Sequence, residues 1–403
     1  MSQSDIAIVG AGPAGSSAAI FLARKGYSVA LIDKERFPRE KLCGDFINPI
    51  NRPVFRTLGV EKNILSQQHE KVTSFRMTSF SGEETEAALA CKNEDTGLGL
   101  RRFDLDHILL EQAASEGVGL FQDSRVQGIR KEGNEWNLEI DRGGIVEHLR
   151  ACVLIGADGR NSWVAHHLGM VTAASTRGRS VGFQVRLKSA KKIGNKVEIH
   201  LFPGGYAGLV GLGDHKITLG FAIDKGSLRQ RHLPERLLDS HLSVNPYLKE
   251  ILRRSEVVGA MRSTYPVYFP PRRFYGDGVL LVGDAARVSE PVTGEGIYFA
   301  MKSGEFAAKV LEQAFKVGDL SARHLRIYER ECQRAFASRR RINKLVRWLM
   351  YRPAVLSPLI RLFRTRTRLL DSVVHLICAP HPALDDPSSL SPRARCHSER
   401  QTV

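Results

Sequence analysis

Three closely spaced glycines near the start of the chain are the first residues with a chemical signature. Gly10, Gly12 and Gly15 follow the short apolar run 5–9, and Asp33 comes eighteen residues after the last glycine. The first glycine allows a tight turn, the second lets backbone amides approach a pyrophosphate, and the third lets a helix pack closely on a strand. The helix N-terminus offers unpaired N–H groups to phosphates, and Asp33 can accept hydrogen bonds from a ribose. The pattern predicts a dinucleotide site.

Two more glycine–acid motifs lie further along the chain, each after a short apolar run typical of a buried strand. They are Gly156-Ala-Asp-Gly159 and Gly283-Asp284, and the second continues through Pro291 to the turn Gly294-Glu-Gly296. A helix is predicted from this turn to about Phe315. Nucleotide-type segments therefore recur on both sides of the middle of the chain.

The elements that must position these motifs follow from the residues between them. The runs 181–187, 197–202 and 217–223 are typical of antiparallel strands, which differ from the strand–helix pattern of the N-terminal motif. We therefore predict an α/β fold in which a discontinuous Rossmann-like domain is interrupted by an inserted antiparallel β-sheet domain of α+β type. A helical C-terminus follows.

The three motifs occur in the order and at the spacing of one known superfamily. Over roughly residues 1–315 the sequence resembles the FAD-dependent oxidoreductases that include the para-hydroxybenzoate hydroxylase-type monooxygenases and the geranylgeranyl reductases. The resemblance implies FAD as the cofactor and a hydrophobic small-molecule substrate. Because no second GxGxxG motif introduces another dinucleotide domain, NAD(P)H is expected as a transient electron donor that binds over the FAD domain.

The domain limits predicted on this basis are as follows. Residues 1–75, 100–175 and 275–320 form the FAD-binding domain, 76–99 and 176–274 the substrate domain, 321–378 a basic helical region, and 379–403 a disordered tail rich in Pro, Ser and Arg.

The resemblance also assigns roles to single residues. In the family, the position of Asp284 contacts the flavin ribityl chain, the turn 294–296 presents amides to the isoalloxazine, and the position of Arg102 contacts the cofactor region, with Arg101 as a rival in register. Alternatively, Asp158 caps a helix and Arg102 pairs with a surface acid. The cofactor-binding residues implied by motifs and resemblance are Gly10, Gly12, Ala14, Gly15, Asp33, Lys34, Cys43, Gly44, Arg102, Asp158, Gly159, Gly283, Asp284, Pro291, Gly294, Gly296 and Ile297.

The reaction is where the sequence gives mixed indications. The segment around Cys43 and Gly44 resembles the cysteine–glycine segment of geranylgeranyl reductases, as does Tyr298, where hydroxylases usually carry asparagine. Against this, Gly208 and Gly211 stand where lipid reductases show tryptophan and proline. Cys43 is the one candidate catalytic residue, although a lone buried cysteine is usually a small apolar side chain.

We expect NAD(P)H- and O2-dependent hydroxylation of a hydrophobic small molecule, with geranylgeranyl reductase-like C=C reduction of an isoprenoid or lipid as the alternative. A flavoprotein that matures or passes electrons to another protein is a second alternative. Flavin halogenases share the fold, but their WxWxIP motif is absent and the three tryptophans are far apart. No metal site is expected, since the adjacent His166 and His167 do not share a helix face.

The net charge of +16 is concentrated near the C-terminus. Between residues 321 and 370 there are 14 Arg or Lys and two acids, so this stretch carries +12. A local basic surface of this kind argues against a nucleic-acid channel through the main body. Apolar residues at 342, 345, 346, 349 and 350 predict a basic amphipathic helix in the segment 341–368. We favour packing of this helix over the substrate domain, and peripheral contact with an anionic membrane is the alternative.

The remaining features of the sequence concern location. Six cysteines lie far apart with neither CxxC nor zinc spacing, which is typical of a reduced, cytoplasmic chain. The apolar N-terminus lacks a basic leader and no uncharged apolar run reaches about 18 residues, so neither a signal peptide nor a membrane span is expected. The oligomeric state does not follow from the sequence.

Overall fold

A computed structural model describes residues 2–89, 95–172, 180–190, 192–228, 234–288 and 291–378. The predicted disordered tail, 379–403, lies outside the described residues.

The strands of the described chain are β1 Ser2–Val9, β2 Val29–Ile32, β3 Phe46–Ile47, β4 Glu70–Val72, β5 Ser74–Thr78, β6 Glu84–Ala88, β7 Gly97–Gly99, β8 Gly119–Phe121, β9 Arg125–Glu132, β10 Glu135–Arg142, β11 Ile145–Gly156, β12 Ser180–Ser189, β13 Lys196–Phe202, β14 Gly205–Gly211, β15 Lys216–Asp224, β16 Ser255–Thr264, β17 Tyr275–Gly276 and β18 Val279–Leu281. The α-helices are α1 Pro13–Ala23, α2 Arg52–Leu58, α3 Glu61–Ser66, α4 Arg102–Ser115, α5 Trp163–His167, α6 Pro234–Ser240, α7 Pro246–Arg253, α8 Gly296–Val317, α9 Ala322–Ala335, α10 Ala337–Met350, α11 Pro353–Thr365 and α12 Thr367–Cys378.

The first sheet gathers strands from both ends of the chain. Its order is β17-β18-β11-β1-β2-β8, and β1 runs parallel to both β11 and β2. Strand β18 pairs in parallel with β11. The motif that follows β18 therefore lies at the same edge of the sheet as the glycine turn that follows β1. The β9–β10 hairpin extends β11 in antiparallel fashion. This confirms the predicted discontinuous Rossmann-like arrangement.

Helices α1 and α8 pack on each other with very little space between their backbones. A Cβ atom added at Gly304 would lie 2.7 Å from the carbonyl oxygen of Ala14, closer than real Cβ atoms approach backbone oxygens. The Ser17 hydroxyl also donates to the Met301 carbonyl oxygen at 2.9 Å. Close packing fixes the start of α1 relative to the start of α8, and both helix starts face the cavity described below.

The inserted sheet has seven strands in the order β16-β12-β15-β14-β13-β5-β6. Its neighbours are antiparallel, as predicted, except that β5 and β13 pair in parallel. Strand β5 begins at Ser74, so the predicted domain limit between residues 75 and 76 falls inside this strand. A small sheet of β3, β7 and β4 lies beside it.

Helices cover both faces of the inserted sheet, because its central strands β13, β14 and β15 are buried along nearly their whole length. One cluster joins Phe183, Leu219 and Phe221 of the sheet to residues of α6 and α7. Two others join the sheet to the C-terminal helices, through Met350 and Ile360 in one and Leu370 and Val374 in the other.

Candidate functional site

The turn between β1 and α1 has the backbone geometry that its glycines predict. Gly10 has φ +105°, a conformation that favours glycine, and a Cβ there would lie 2.5 Å from the Ala157 carbonyl oxygen. A Cβ at Gly15 would lie 1.9 Å from the Gly10 carbonyl oxygen, so the start of α1 is pressed onto the turn. Gly12 is open, since the nearest atom to its Cβ position is an Arg39 Nη2 at 3.6 Å.

Asp33 supports this turn directly. Its Oδ2 accepts a hydrogen bond from the Ala11 amide at 2.7 Å, and its Oδ1 accepts one from the Glu35 amide at 3.0 Å. The carboxylate therefore fixes the glycine turn, and the remaining lone pairs of its oxygens are available to a ribose. Lys34 is exposed and lies 4.0 Å from Glu35, at the surface beside the turn.

A cavity of about 260 Å³ separates the first sheet from the inserted one. Ten of the sequence-predicted site residues line it: Ala14, Cys43, Gly44, Arg102, Gly159, Asp284, Pro291, Gly294, Gly296 and Ile297. The inserted sheet forms the opposite wall, and its apolar residues there include Val197, Ile199, Tyr206, Val210, Ala222 and Val267. Polar groups thus converge on one side and hydrocarbon on the other, which is the usual character of a small-molecule site.

Of the two β14 glycines that the sequence analysis noted, only Gly208 shapes the apolar wall. Gly208 lines the cavity, and a Cβ there would make only ordinary contact, 3.5 Å from Ile199 Cδ1. The small sheet comes close to β14 because Gly99 has no side chain, since a Cβ at Gly99 would lie 1.8 Å from the Gly211 carbonyl oxygen, whereas a Cβ at Gly211 would make ordinary contact 3.4 Å from Glu70 Cγ. The tryptophan expected in lipid reductases would occupy cavity space at position 208, and glycine leaves that space open.

Arg102 is held by a buried acid that the sequence analysis did not single out. Its Nε and Nη2 donate to the two carboxylate oxygens of Asp106 at 2.6 and 2.7 Å, and Asp106 is fully buried. Arg39 donates to the same carboxylate at 2.9 Å. Of the two alternatives for Arg102, cofactor contact and pairing with a surface acid, neither describes the structure fully. Arg102 pairs with a buried acid on its own helix, and it also lines the cavity.

Cys43 lies beside Arg102 at the cavity wall. Burial raises the pKa of the Cys43 thiol, and the nearby Arg102 guanidinium lowers it in part. The thiol therefore keeps its proton at neutral pH, which argues against a thiolate nucleophile and suits a group that holds a proton.

Positive charge accumulates at the polar end of the cavity. Lys41 lines the cavity, and burial followed by Arg39, Arg102 and Arg160 lowers its pKa. Arg160 lies 3.7 Å from Asp284, so part of the charge is compensated within the chain. A cluster of this kind is suited to an anionic group such as a pyrophosphate.

Asp158 and Gly283 lie beside the cavity and do not line it. The Asp158 Oδ2 accepts the Val164 amide at 3.0 Å, so its side chain caps α5, which was the alternative for this residue. Burial raises the pKa of Asp158. Gly283, with φ +58°, packs against Ala14, and its amide donates to the Ser303 hydroxyl at 2.8 Å.

The turn before α8 is held by residues distant in sequence. Glu295, buried in the turn, accepts a hydrogen bond from Arg339 of α10 at 2.8 Å. Asn343 of α10 donates to the Thr293 hydroxyl at 2.7 Å, and Asn48 donates to the Thr293 carbonyl oxygen at 3.2 Å. Helix α10 therefore positions the turn that the resemblance places against the flavin.

Asp45 is buried where the segment after Cys43 and Gly44 contacts the inserted sheet. It is fully buried with φ +56°, and its carboxylate accepts hydrogen bonds from Thr218 at 2.7 Å and Gln184 at 3.3 Å. Arg186 approaches to 3.3 Å. Burial raises the pKa of Asp45 to about 6 despite Arg186 and these hydrogen bonds. No sequence motif marked this residue, although it directly follows Cys43 and Gly44.

Comparison with known proteins gives a family match, related sequences and similar solved structures. A family described as an FAD binding domain matches residues 3–203. A digeranylgeranylglycerophospholipid reductase of Methanococcoides burtonii is 30% identical over 362 residues, which cover 86% of this chain and 83% of the reductase.

Among solved structures, a geranylgeranyl bacteriochlorophyll reductase-like protein from Thermoplasma acidophilum has a TM-score of 0.75 at 21% identity and covers 95% of this chain and 98% of its own. A triple mutant of the flavin-dependent brominase Bmp2 has a TM-score of 0.79 at 20% identity, with 95% of both chains covered. At these identities the two structures support the fold alone, which agrees with the predicted α/β architecture.

The residues present fit FAD. A Cβ at either Gly44 or Gly296 would meet no atom within 4 Å, and both glycines line the cavity, so side chains there would fill the space that a flat ring needs. The acid at the N-cap of α8, Glu295, is paired with Arg339, and the first turn itself has no acidic residue, which leaves the N–H dipole available to negative charge. With the cations around Lys41, the site offers donors to both a pyrophosphate and a flavin.

Proposed function

The chain belongs to the family of FAD-dependent oxidoreductases that includes the digeranylgeranylglycerophospholipid reductases, and on this premise we propose that it reduces carbon–carbon double bonds of an isoprenoid-like chain. The observation that carries the proposal is the cavity, in which an apolar sheet wall faces the glycines of the flavin side. Sequence alone favoured hydroxylation. The reductase relatives support its stated alternative better.

Reduction of an isolated C=C bond adds two electrons and two protons, and both new bonds are to hydrogen. Reduced FAD supplies the electrons. Because reduced FAD would supply both electrons with one hydrogen as a hydride, the chain must bind the alkene against the flavin side, keep water away and provide one proton. The wall residues Ile199, Tyr206 and Ala222 are buried, so they remove an alkene from water as it enters.

Cys43 is the proposed proton source. Its thiol lines the cavity and keeps its proton at neutral pH because burial raises its pKa. Once the proton leaves, the Arg102 guanidinium stabilises the thiolate that remains, and Asp106 holds this guanidinium in place. Lys41, whose pKa is lowered by burial, lines the same cavity and can return a proton to Cys43.

The electron donor is proposed to be NAD(P)H bound transiently over the FAD domain. The single GxGxxG motif of the sequence serves FAD, so a nicotinamide donor has no dinucleotide domain of its own and binds transiently in this proposal. Anaerobic mixing of the FAD-loaded protein with NADH, NADPH or a reduced ferredoxin, followed by the flavin absorbance, distinguishes these donors. Bleaching by a ferredoxin alone would overturn the proposal for NAD(P)H.

The reductase proposal is tested by reoxidation of the protein under anaerobic conditions. Dithionite-reduced holoprotein is mixed with detergent-dispersed geranylgeranyl lipid, and we expect the oxidised flavin spectrum to return without oxygen. Saturated phytanyl lipid is the matched control and should leave the flavin reduced. Equal behaviour with both lipids would refute the proposal.

A variant of the wall sharpens this test. In Gly208→Phe a ring would project into the cavity, since the Cβ position itself is free of clashes. We expect reoxidation by the geranylgeranyl lipid to slow, while FAD remains bound. If Gly208→Phe reoxidises at the rate of the natural protein, the alkene does not lie against this wall. A stable complex with another protein and no response to either lipid would instead favour the electron-transfer role.

A further inference from the structure

The C-terminal helices share a wall with the substrate cavity. Met350, Leu356 and Ile360 of this region pack in one cluster with Ile199, Tyr206, Ala222 and Val267 of the inserted domain. The same four inserted-domain residues line the cavity. The Tyr351 hydroxyl also donates to the Ser180 hydroxyl at 2.8 Å. The inner face of α10–α12 is thus occupied by residues that also line the cavity.

The outer face is unusually apolar for an exposed surface. Of the seventeen exposed large hydrophobic side chains among the described residues, seven lie between residues 345 and 376. They are Leu345, Trp348, Val355, Leu362, Leu369, Val373 and Leu376. Leu345 belongs to the apolar stripe that the sequence predicts to be buried, yet it is 57% exposed. Exposed apolar residues in such number usually mark an interaction surface.

The same face is strongly basic. Its exposed cations are Arg341, Lys344, Arg352, Arg361, Arg364, Arg366 and Arg368, and the described stretch 341–376 has one acid, Asp371. Arg361 pairs with Glu83, whereas Arg364 and Arg368 make no ion pair with the described residues. Exposed arginines that alternate with leucine and tryptophan are typical of helices that lie in the headgroup region of a bilayer.

We propose that the outer face of residues 341–376 binds the surface of an anionic lipid bilayer. Charge complementarity selects this occupant, because the face joins unpaired cations to apolar side chains that a headgroup layer can bury. Helix α10 also carries Arg339 and Asn343, which hold the turn at residues 293–295, so the docking face and the flavin-side turn belong to one packed unit. Among the described helices, none is long and apolar enough to cross a membrane, and the proposed binding requires no crossing.

The proposal is tested by co-sedimentation of FAD-loaded protein with vesicles. Phosphatidylcholine vesicles that contain phosphatidylglycerol should carry the protein down at low salt, and pure phosphatidylcholine vesicles should carry much less. In Arg364→Gln with Arg368→Gln, two cations are lost, and at roughly 1 kcal/mol per cation the vesicle affinity should fall about thirtyfold. Arg142→Gln with Arg150→Gln, two exposed arginines of the β10–β11 region, is the matched control and should bind normally.

A second variant separates insertion from charge. Trp348→Ser should weaken binding to anionic vesicles at high salt, where charge is screened, and Ile145→Ser in the exposed β10–β11 hairpin should not. Failure of the natural protein to sediment, or equal loss in the control variants, would overturn the proposal. Dimerisation that Arg364→Gln with Arg368→Gln abolishes, without vesicle binding, would assign the face to self-association instead. The assay contains no isoprenoid, so its outcome is independent of the reductase test.

Discussion

Removal of Arg339 tests how the C-terminal helices support the flavin-side turn. The Arg339 and Glu295 side chains are 3% and 2% exposed, and their Nη1 and Oε1 atoms lie 2.8 Å apart. In Arg339→Met the chain length is nearly kept, so little cavity forms, but the Glu295 carboxylate stays buried without its cation. Removing one partner of a buried pair costs about 3–5 kcal/mol, and we expect a loss of this size in the free energy of unfolding.

The second variant in this test is Arg339→Met combined with Glu295→Gln. Because glutamine carries no charge, most of the loss should be recovered, and the two substitutions should therefore be strongly non-additive. The loss in Arg339→Met alone should also shrink at acidic pH. Burial already raises the pKa of Glu295, and without Arg339 this pKa rises further. The folded variant then holds a proton on Glu295 that the unfolded chain releases above about pH 4.3. The free energy of unfolding of the variant therefore falls as the pH rises from about 4.3 toward the raised pKa of Glu295 in the folded state.

The assay is denaturant unfolding followed by circular dichroism, with FAD affinity measured in parallel from flavin fluorescence. We expect Arg339→Met to weaken FAD binding, since the turn at residues 293–296 loses its anchor on α10. A loss below about 1 kcal/mol, or a double variant as unstable as the single one, would refute the reasoning. Arg341→Met, an exposed arginine on the same helix, is the control and should change neither quantity.

Three further predictions concern the cavity. Cys43→Ser should slow anaerobic alkene reduction by about 10²–10⁴-fold with FAD still bound, and an unchanged single-turnover rate would exclude Cys43 as proton source. Gly296→Ala should weaken FAD binding because its Cβ projects into the cavity, while the melting temperature of the apoprotein, read by circular dichroism, should not fall. For Asp45, the pKa is about 6 in the folded protein against 3.8 ordinarily, so the folded state binds more protons between these values. Natural-protein stability relative to Asp45→Asn should therefore fall by about 3 kcal/mol as the pH rises through this window, and denaturation at several pH values that shows no such trend would contradict the assignment.

The glycine turn and the fold could be predicted because their causes are local. Gly10 adopts a positive φ, and Gly15 lets the start of α1 pack against the Gly10 carbonyl oxygen. Both requirements arise within a few residues of sequence. The Asp106 partner of Arg102 was also within reach, since residues four apart on a helix share a face. The importance of Asp106 depends on its complete burial, and nothing in the sequence of α4 indicates that this position is buried.

The partners of the flavin-side turn could not be predicted in this way. Arg339 is 44 residues from Glu295 in sequence, and Asn48 is further still from Thr293. The packing of α10 against the turn brings Arg339 to Glu295, and the tertiary fold of the segment after β3 brings Asn48 to Thr293. Asp45 is similar, because its raised pKa comes from the inserted sheet that closes over it and not from its neighbours in the chain. Gly208 indicates how much space the cavity has, but it does not indicate which reaction takes place there.

The most direct test of the central claim is the mass of the product. Reduced, FAD-loaded protein is incubated with geranylgeranyl lipid in one sample without oxygen and in another with isotopically labelled oxygen. The account predicts a product that has gained two hydrogen atoms per reduced bond in both samples and contains no labelled oxygen. A product that forms only in the second sample and carries one labelled oxygen atom would contradict it and establish hydroxylation.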